Sequence, residues 1–435
     1  MLMPRSVKVR KDYIKIVKAA LQRQGFPRQK DLAEALGFAL DTVSKFLNGK
    51  PIDFTNFFEI SQKLGFDWQE IADTTTSTNH NGDSNCTGTG ETIQEEPVIP
   101  TYIERTKIED MCFRTLSQSG SLLRIKAPGL MGKTSLMANV LGKMANQGYR
   151  TVLLNLHYAE ASDFSNIADF LKWFCVSVTH NLRMSNRLAD YWDEQFSTPK
   201  MNCTAYFEEY LLAQVSSPLI LCLDEVERIF PHEKVAAEFL GLLRAWHEQA
   251  KTRPVWKQLR LVVIHSTEVY VPLQVNESPF NVGVSIELPE FTPQQVLCLA
   301  RKYGFDYDLD QIKKLMDKVG GHPYLVEQAF SHLHLNTGVT LGELLQTAAT
   351  DAGIYGNLLR HYWRIIEQDR ELLAALKEIV SSQGKVRLLP TQAYKLHRMG
   401  LVNLSGNEVS ITCGLYREYF GDRFEFLEQK VLIRQ

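Results

Sequence analysis

The sequence predicts a multidomain protein: a small all-α unit first, then an α/β unit on a parallel sheet, a helical lid, and a last unit of helices ending in a two-stranded hairpin. Three observations predict it. The stretch "TTTSTNHNGDSNCTGTGETIQEEP", Thr74 to Pro97, is nearly free of large apolar residues and divides the chain. After it, short apolar runs alternate with segments of helical period, the pattern of strands buried on both faces. From Thr292 onward the pattern turns mostly helical, with a hairpin signal near the end. At 435 residues the chain exceeds one ordinary core, so two to four domains are expected.

Bulk composition narrows the class. A hydrophobic fraction of 44% with 23% charged residues is that of a globular protein. The net charge of -2 excludes a uniformly basic nucleic-acid coat while leaving room for a local basic patch. Seven cysteines occur with no C-x-x-C spacing, which reads as reduced, mostly buried thiols in a cytoplasmic protein and gives no zinc site. The opening "MLMPRSVKVRKDY" lacks the apolar region of a secretory signal. No apolar run approaches the ~18 residues of a membrane span, so no membrane partner is expected.

Residues 1–73 read as short helices. In "RQKDLAEALGFALDTVSKFLNGKPI", Leu32, Ala33 and Leu36 share one helical face, and Gly37 ends that helix. A second helix runs from about Leu40 to Leu47, with Val43, Phe46 and Leu47 inward. Two helices through a glycine turn make a helix-turn-helix. The string Q-x-x-L-A-x-x-L-G-x-x-x-x-T-V-S-x-x-L-x-G resembles the phage-repressor type. Bound to DNA, it would present Asp41, Thr42, Ser44 and Lys45 to the major groove, with Lys30, Lys45 and Lys50 on phosphates. The first thirty residues hold nine Lys/Arg and one acid, which suits a backbone-facing patch. The same fold also docks proteins, and Asp41 is an unfavourable charge beside phosphate. DNA and a protein partner therefore both stand as readings. Residues 74–98 cannot bury enough surface to offset their ordering entropy and read as a flexible linker.

Residues 99–291 carry the chemistry. Five runs read as strands: "SLLRIKA" from Ser121, "TVLLNL" from Thr151, "PLILCLDE" from Pro218, "RLVVIHS" from Arg260 and "VSIELPEF" from Val284. The first leads into Ala127, Pro128, Gly129, Leu130, Met131, Gly132, Lys133, Thr134 and Ser135, a strand–turn–helix close to the phosphate-loop pattern G-x-x-x-x-G-K-[ST]. Ala127 stands where the first glycine is usual. Gly132 lets the backbone turn its amides inward, Lys133 reaches the β- and γ-phosphates, and the Thr134 hydroxyl can take Mg²⁺. About ninety residues on, a buried strand runs into Asp224 and Glu225. Carboxylates at the C-terminal end of a parallel strand stand where such sheets bind ligands. Asp224 would hold Mg²⁺ through water, and Glu225 would act as general base toward the attacking water. The run "RLVVIHS" is another buried strand ending in polar residues; it resembles the sensor strand of P-loop ATPases, which lies between those two, and that resemblance implies Ser266 or Thr267 near the γ-phosphate or the water.

Taken together, "YIERTKIED", "IKAPGLMGKTSLM", "LDEVERIF", "SPFNVGVSIELPEFT" and "GGHPYLV" resemble, in order, the AAA-like ATPase domain common in cyanobacterial multidomain proteins. That family is allied to the signal-transduction ATPases with numerous domains. The resemblance spans about residues 99 to 340. It implies a P-loop NTPase of the ASCE, AAA-like class that binds ATP and Mg²⁺ and works as a slow ATP/ADP switch rather than a fast motor. It also implies that Tyr102, Ile103 and Arg105 lie near the adenine, and that a lid over 292–340 presents Pro323 to the base. A helix-turn-helix is similar to the module that some members carry. Residues 341–435, with helices "RELLAALKEIVSS" and "LPTQAYKLHRMG" before "LVNL" and "EVSIT", read as a winged helix. In the resembling ATPases this domain packs on the nucleotide unit and stabilises the off state. No arginine finger stands within the motifs. Arg228, Arg244 and Arg260 are unranked candidates, and self-association that brings a neighbour's arginine is a further reading. A DNA-binding regulator or docking adaptor with the ATPase fold as scaffold is the alternative.

Overall fold

In a computed structural model of the chain, the described residues are 6–11, 13–23, 26, 28–36, 38–64, 66, 71–72, 102–266 and 279–433. They belong to two compact units, 1–98 and 99–435. The expectations for Gly37, the 74–98 linker and Thr267 fall outside the described residues.

In the first unit, helices α1 (Ile14–Arg23), α2 (Gln29–Leu36), α3 (Leu40–Leu47) and α4 (Phe54–Lys63) surround a core that includes Val17, Leu32, Val43, Phe46, Phe57 and Ile60. The Phe46 and Phe57 rings stand 5.0 Å apart. The unit is not all-α. Strands β1 (Ser6–Val7) and β2 (Ile52–Asp53) pair antiparallel, with Val7 opposite Ile52. Two-residue strands are too short for an alternating pattern to register in sequence.

The second unit holds a five-stranded, all-parallel sheet: β3 (Leu122–Lys126), β4 (Arg150–Asn155), β5 (Leu219–Asp224), β6 (Leu259–His265) and β7 (Val284–Glu287). Each of the five apolar runs forms one strand. The order is β4-β5-β6-β3-β7, so β6 lies between the strand that enters the glycine loop and the strand that ends in Asp224. Side chains alternate between the two faces. Leu219, Leu221 and Leu223 face one core with Leu261 and Val263, and Ile220 and Cys222 face the other with Ile125, Val262 and Ile264. Helices α5 (Thr106–Ser117) and α6 (Lys133–Asn146) cover the second face. Helices α7 (Ile167–Asn181), α8 (Pro199–Ala205) and α9 (Glu233–Gln249) cover the first. Because all five strands run the same way, their C-terminal ends share one edge of the sheet, the edge where such folds place ligands.

Past the sheet come α10 (Pro293–Lys302), α11 (Leu309–Val319), α12 (Pro323–Leu335), α13 (Leu341–Thr347), α14 (Gly356–Glu367), α15 (Arg370–Ser381) and α16 (Pro390–Arg398). The antiparallel hairpin β8 (Val402–Ser405) and β9 (Glu408–Ile411) and the long α17 (Gly414–Ile433) follow. Capping boxes start three of these helices: Thr292 with Gln295, Asp308 with Gln311 and Thr340 with Glu343. One core runs from Phe291 to Phe424, and Leu333, Leu344, Leu359 and Tyr416 all belong to it. The core therefore continues across residue 340. Gly321 sits where a Cβ would stand 2.2 Å from the Phe291 carbonyl oxygen, and its own carbonyl accepts from the Phe291 N–H at 2.7 Å. Only glycine allows that approach between the end of the sheet and the start of α12. Among the described residues no helix is long and apolar enough to cross a membrane.

Candidate functional site

The strand–turn–helix at 122–146 builds the first half of the site. Strand β3 ends at Lys126, and α6 begins at Lys133 with Gly132 as its N-cap at φ 83°. Leu130 also holds a positive φ of 61°, uncommon for a residue with a side chain. Ala127 has no positive φ and is buried, so a small residue suffices and glycine's freedom is not needed. The loop closes on a helix N-terminus, where backbone N–H groups and the helix dipole favour an anion. Lys133 is buried and its ammonium donates to the carbonyls of Ala127 (2.9 Å) and Pro128 (2.8 Å). Burial pushes its pKa down, against the opposing charges of Glu227, Glu225 and Asp224. Ser135 is exposed at the start of α6.

The second half comes from the tip of β5. Thr134 Oγ1 donates to Asp224 Oδ2 at 2.7 Å, which joins the two motifs across 90 residues of chain. Asp224 is buried, and burial raises its pKa. Glu225 follows in the left-handed region at φ 57°, a strained position for a glutamate. Its carboxyl is pushed up to about 7, chiefly by burial and then by the neighbouring charges of Glu227 and Asp224. His157 Nε2 stands 3.7 Å from Glu225 Oε2. The arrangement sets an anion-favouring loop, a buried lysine, a hydroxyl–carboxylate pair and a carboxylate of raised proton affinity along one sheet edge. That set can hold a polyphosphate with its metal and accept a proton from water.

The remaining candidates lie around this centre. Ser266 directly follows β6, and its N–H donates to Glu227 Oε1 at 3.0 Å. Arg105 is buried, donates to Met131 O at 3.3 Å and to the Pro289 carbonyl, and stacks 4.7 Å from the Phe291 ring centroid. It thereby ties the loop to the exit of β7. Tyr102 donates to Glu109 Oε1 at 2.7 Å. Pro323 is the first residue of α12, behind buried His322. The His322 ring lies near the Gly129 backbone, and its Nδ1 has no hydrogen-bond partner. Burial holds its pKa down at about 4. A cavity of about 400 Å³ lies beside the loop, lined by Pro128, Met131, Glu290, His322, His397 and Thr412 among others. Of the arginines, Arg260 is buried with the carbonyls of Leu116, Lys257 and Gln258, which removes it as a finger. Arg228 is exposed beside Glu225.

On the first unit, Val43, Phe46 and Leu47 of α3 are buried, Thr42 and Ser44 are half-buried, and Lys45 and Lys50 are exposed. Lys45 pairs with Asp41 one turn earlier at 2.7 Å.

Sequence reasoning missed His157 and Glu227, and it found His322 only as part of the lid segment "GGHPYLV". The third acid in Asp-Glu-x-Glu was the available signal for Glu227. Nothing in sequence signals His157, since its placement depends on the packing of a 3₁₀ turn.

Among solved structures, the chain is similar to the Walker-type ATPase paby2304 of Pyrococcus abyssi, at 12% identity and a TM-score of 0.53, covering 74% of this chain and 96% of that one. That likeness shows the fold. Two weaker likenesses carry no argument. One is to the ORC2 protein of Aeropyrum pernix in ADPNP–ADP complexes (13% identity, TM-score 0.45, covering 76% and 97%). The other is to a signal-transduction ATPase with a tetratricopeptide repeat sensor from Pyrococcus horikoshii (14% identity, TM-score 0.33, covering 74% and 43%). No curated protein matches the chain. The family model described as AAA-like domain matches residues 92–422, most of the length, and the chain belongs to that family.

Proposed function

We propose that the protein is an ATP-binding, slowly hydrolysing regulatory switch of signal-transduction type, which couples nucleotide state to the first unit and through it to DNA or a protein partner. The observation that carries this is the Thr134–Asp224 bond of 2.7 Å beside a buried Lys133, two sequence-distant motifs brought together at the C-terminal edge of a parallel sheet. In this reading the loop 127–132 and Lys133 hold the phosphates, and Tyr102, Arg105 and Pro323 flank the nucleoside. Thr134 and Asp224, already in contact, would hold Mg²⁺, which when bound offsets charge on the β- and γ-phosphates. Glu225 accepts the proton of the attacking water, and Ser266 stands at the phosphate end.

The family's cyanobacterial subtype, the winged-helix reading of 341–435 and a cytoplasmic location go with this proposal. Gly400 supports the off-state role of the C-terminal hairpin: a Cβ there would stand 3.6 Å from Pro128 Cβ, so the turn after α16 covers the loop. The first unit is proposed as a helix-turn-helix whose Thr42, Ser44, Lys45 and Lys50 contact DNA. Measuring ATP and ADP binding to the wild type and Lys133→Ala tests the core claim. Micromolar binding lost at least 50-fold in the variant is expected, and equal, negligible binding by both overturns it.

A further inference from the structure

We infer that Glu227 is a positioning residue, which fixes Ser266 at the tip of β6 against Asp224 and Glu225 at the tip of β5; this rests on the nucleotide reading above. The backbone dictates the placement. Glu225, left-handed at φ 57°, turns the chain sharply as it leaves β5, and a 3₁₀ turn from Val226 to Ile229 follows at once. That turn packs against β6, and Glu227 is buried where a turn glutamate would ordinarily be solvated. Its Oε1 accepts from the Ser266 N–H at 3.0 Å. Its Oε2 is buried and has no hydrogen-bond partner.

A buried, half-satisfied carboxylate is costly, and a residue of similar size without charge would fill the space. Two features explain why it stands here. Lys133 is the cation that opposes its burial, and Glu227 in turn supplies the largest charge acting on Lys133. The sheet order places β6 beside both β3 and β5, so a single side chain just past β5 can reach the end of β6, the strand that borders the loop-bearing β3. Glu227 thereby ties the chain leaving β5 to the tip of β6, and the residue it holds, Ser266, is the one that the nucleotide reading puts at the phosphate end. The link acts through geometry, so the amide of glutamine, which still accepts from the Ser266 N–H, should preserve it.

ATP turnover is measured for the full chain carrying Glu227→Ala, Glu227→Gln, Ser266→Ala and the Glu227→Ala/Ser266→Ala pair. Expected are a tenfold or greater loss of kcat in Glu227→Ala with KM for ATP within threefold, and at least a third of wild-type kcat in Glu227→Gln. Ser266→Ala should lose kcat comparably, and the double variant should be no worse than the poorer single. The inference is overturned by wild-type kcat in Glu227→Ala, by Glu227→Gln falling as far as alanine, or by losses that multiply in the double variant. Should Glu227→Ala fail to fold by circular dichroism, Glu227→Asp takes its place: its shorter arm keeps the charge but falls short of the Ser266 N–H, and wild-type kcat there overturns the inference. A wild type that binds no ATP, or binds it without turnover, sinks the reading of the previous subsection and this inference with it. A wild type that turns ATP over regardless of Glu227 sinks this inference alone.

Discussion

Glu225 concentrates three departures from ordinary behaviour: a left-handed backbone, a half-buried carboxyl and a pKa pushed up to about 7. Each follows from its place between Asp224 and Glu227 at a strand end. A group that must take a proton from water near neutral pH works best with a pKa near the working pH. If it is the base, Glu225→Gln should lower ATP turnover by about 100-fold or more while leaving ATP affinity within threefold, since general bases contribute roughly 10²–10⁴. The sign of the pH dependence follows from its role. The base acts when deprotonated, so wild-type turnover should rise with pH through about 7, and that limb should vanish in the variant. A pH–rate profile of both proteins checks it. Ala127 makes the complementary point. The motif's usual glycine is absent, and the backbone there does not require one.

Between elements, the junction of sheet and lid depends on Gly321 and His322. The Gly321 N–H donates to Glu290 Oε2 at 3.0 Å, and His322 lies near the Gly129 backbone. The lid thus meets the glycine loop at one buried imidazole, held neutral by burial at a pKa of about 4. Linkage then sets a direction. The unfolded chain takes up this proton near pH 6.5 and the folded one only near 4, so the contribution is complete above 6.5 and is lost as pH falls toward 4. At 1.36 kcal/mol per unit, the loss is on the order of 3 kcal/mol. Thermal melts between pH 7 and 4 should show a shallower decline for His322→Gln than for the wild type. The continuous core from Phe291 to Phe424 adds a second constraint, because lid and C-terminal hairpin share their packing. A change in one is expected to reach the other.

For the whole molecule, two units with separate cores predict separable behaviour. Residues 99–435 alone should bind ATP within threefold of the full chain, measured by calorimetry. A gel shift on the full chain tests the DNA reading. Thr42→Ala/Lys45→Ala should weaken the shift at least tenfold if α3 enters the groove; a retained shift counts against α3 as the reading helix, and no shift by the wild type argues for a protein partner. The Asp41–Lys45 pair is exposed on both sides, so breaking it should cost little stability, about 0.3–0.5 kcal/mol for such helix pairs.

What the sequence determined by itself was local: five apolar runs as strands, a glycine turn before a helix, and two acids at a strand end. Those readings succeed because side-chain period and backbone freedom are properties of neighbouring residues. The sensor-strand resemblance anticipated β6 between the two motif strands, but only the tertiary structure gives the full strand order and puts Asp224 within 2.7 Å of Thr134. The burial that raises the pKa of Glu225 and lowers that of His322, and the bond from the Ser266 N–H to Glu227, were likewise invisible in sequence. Desolvation and charge coupling depend on atoms brought close in space by strands and turns far apart along the chain, and no local pattern encodes that proximity.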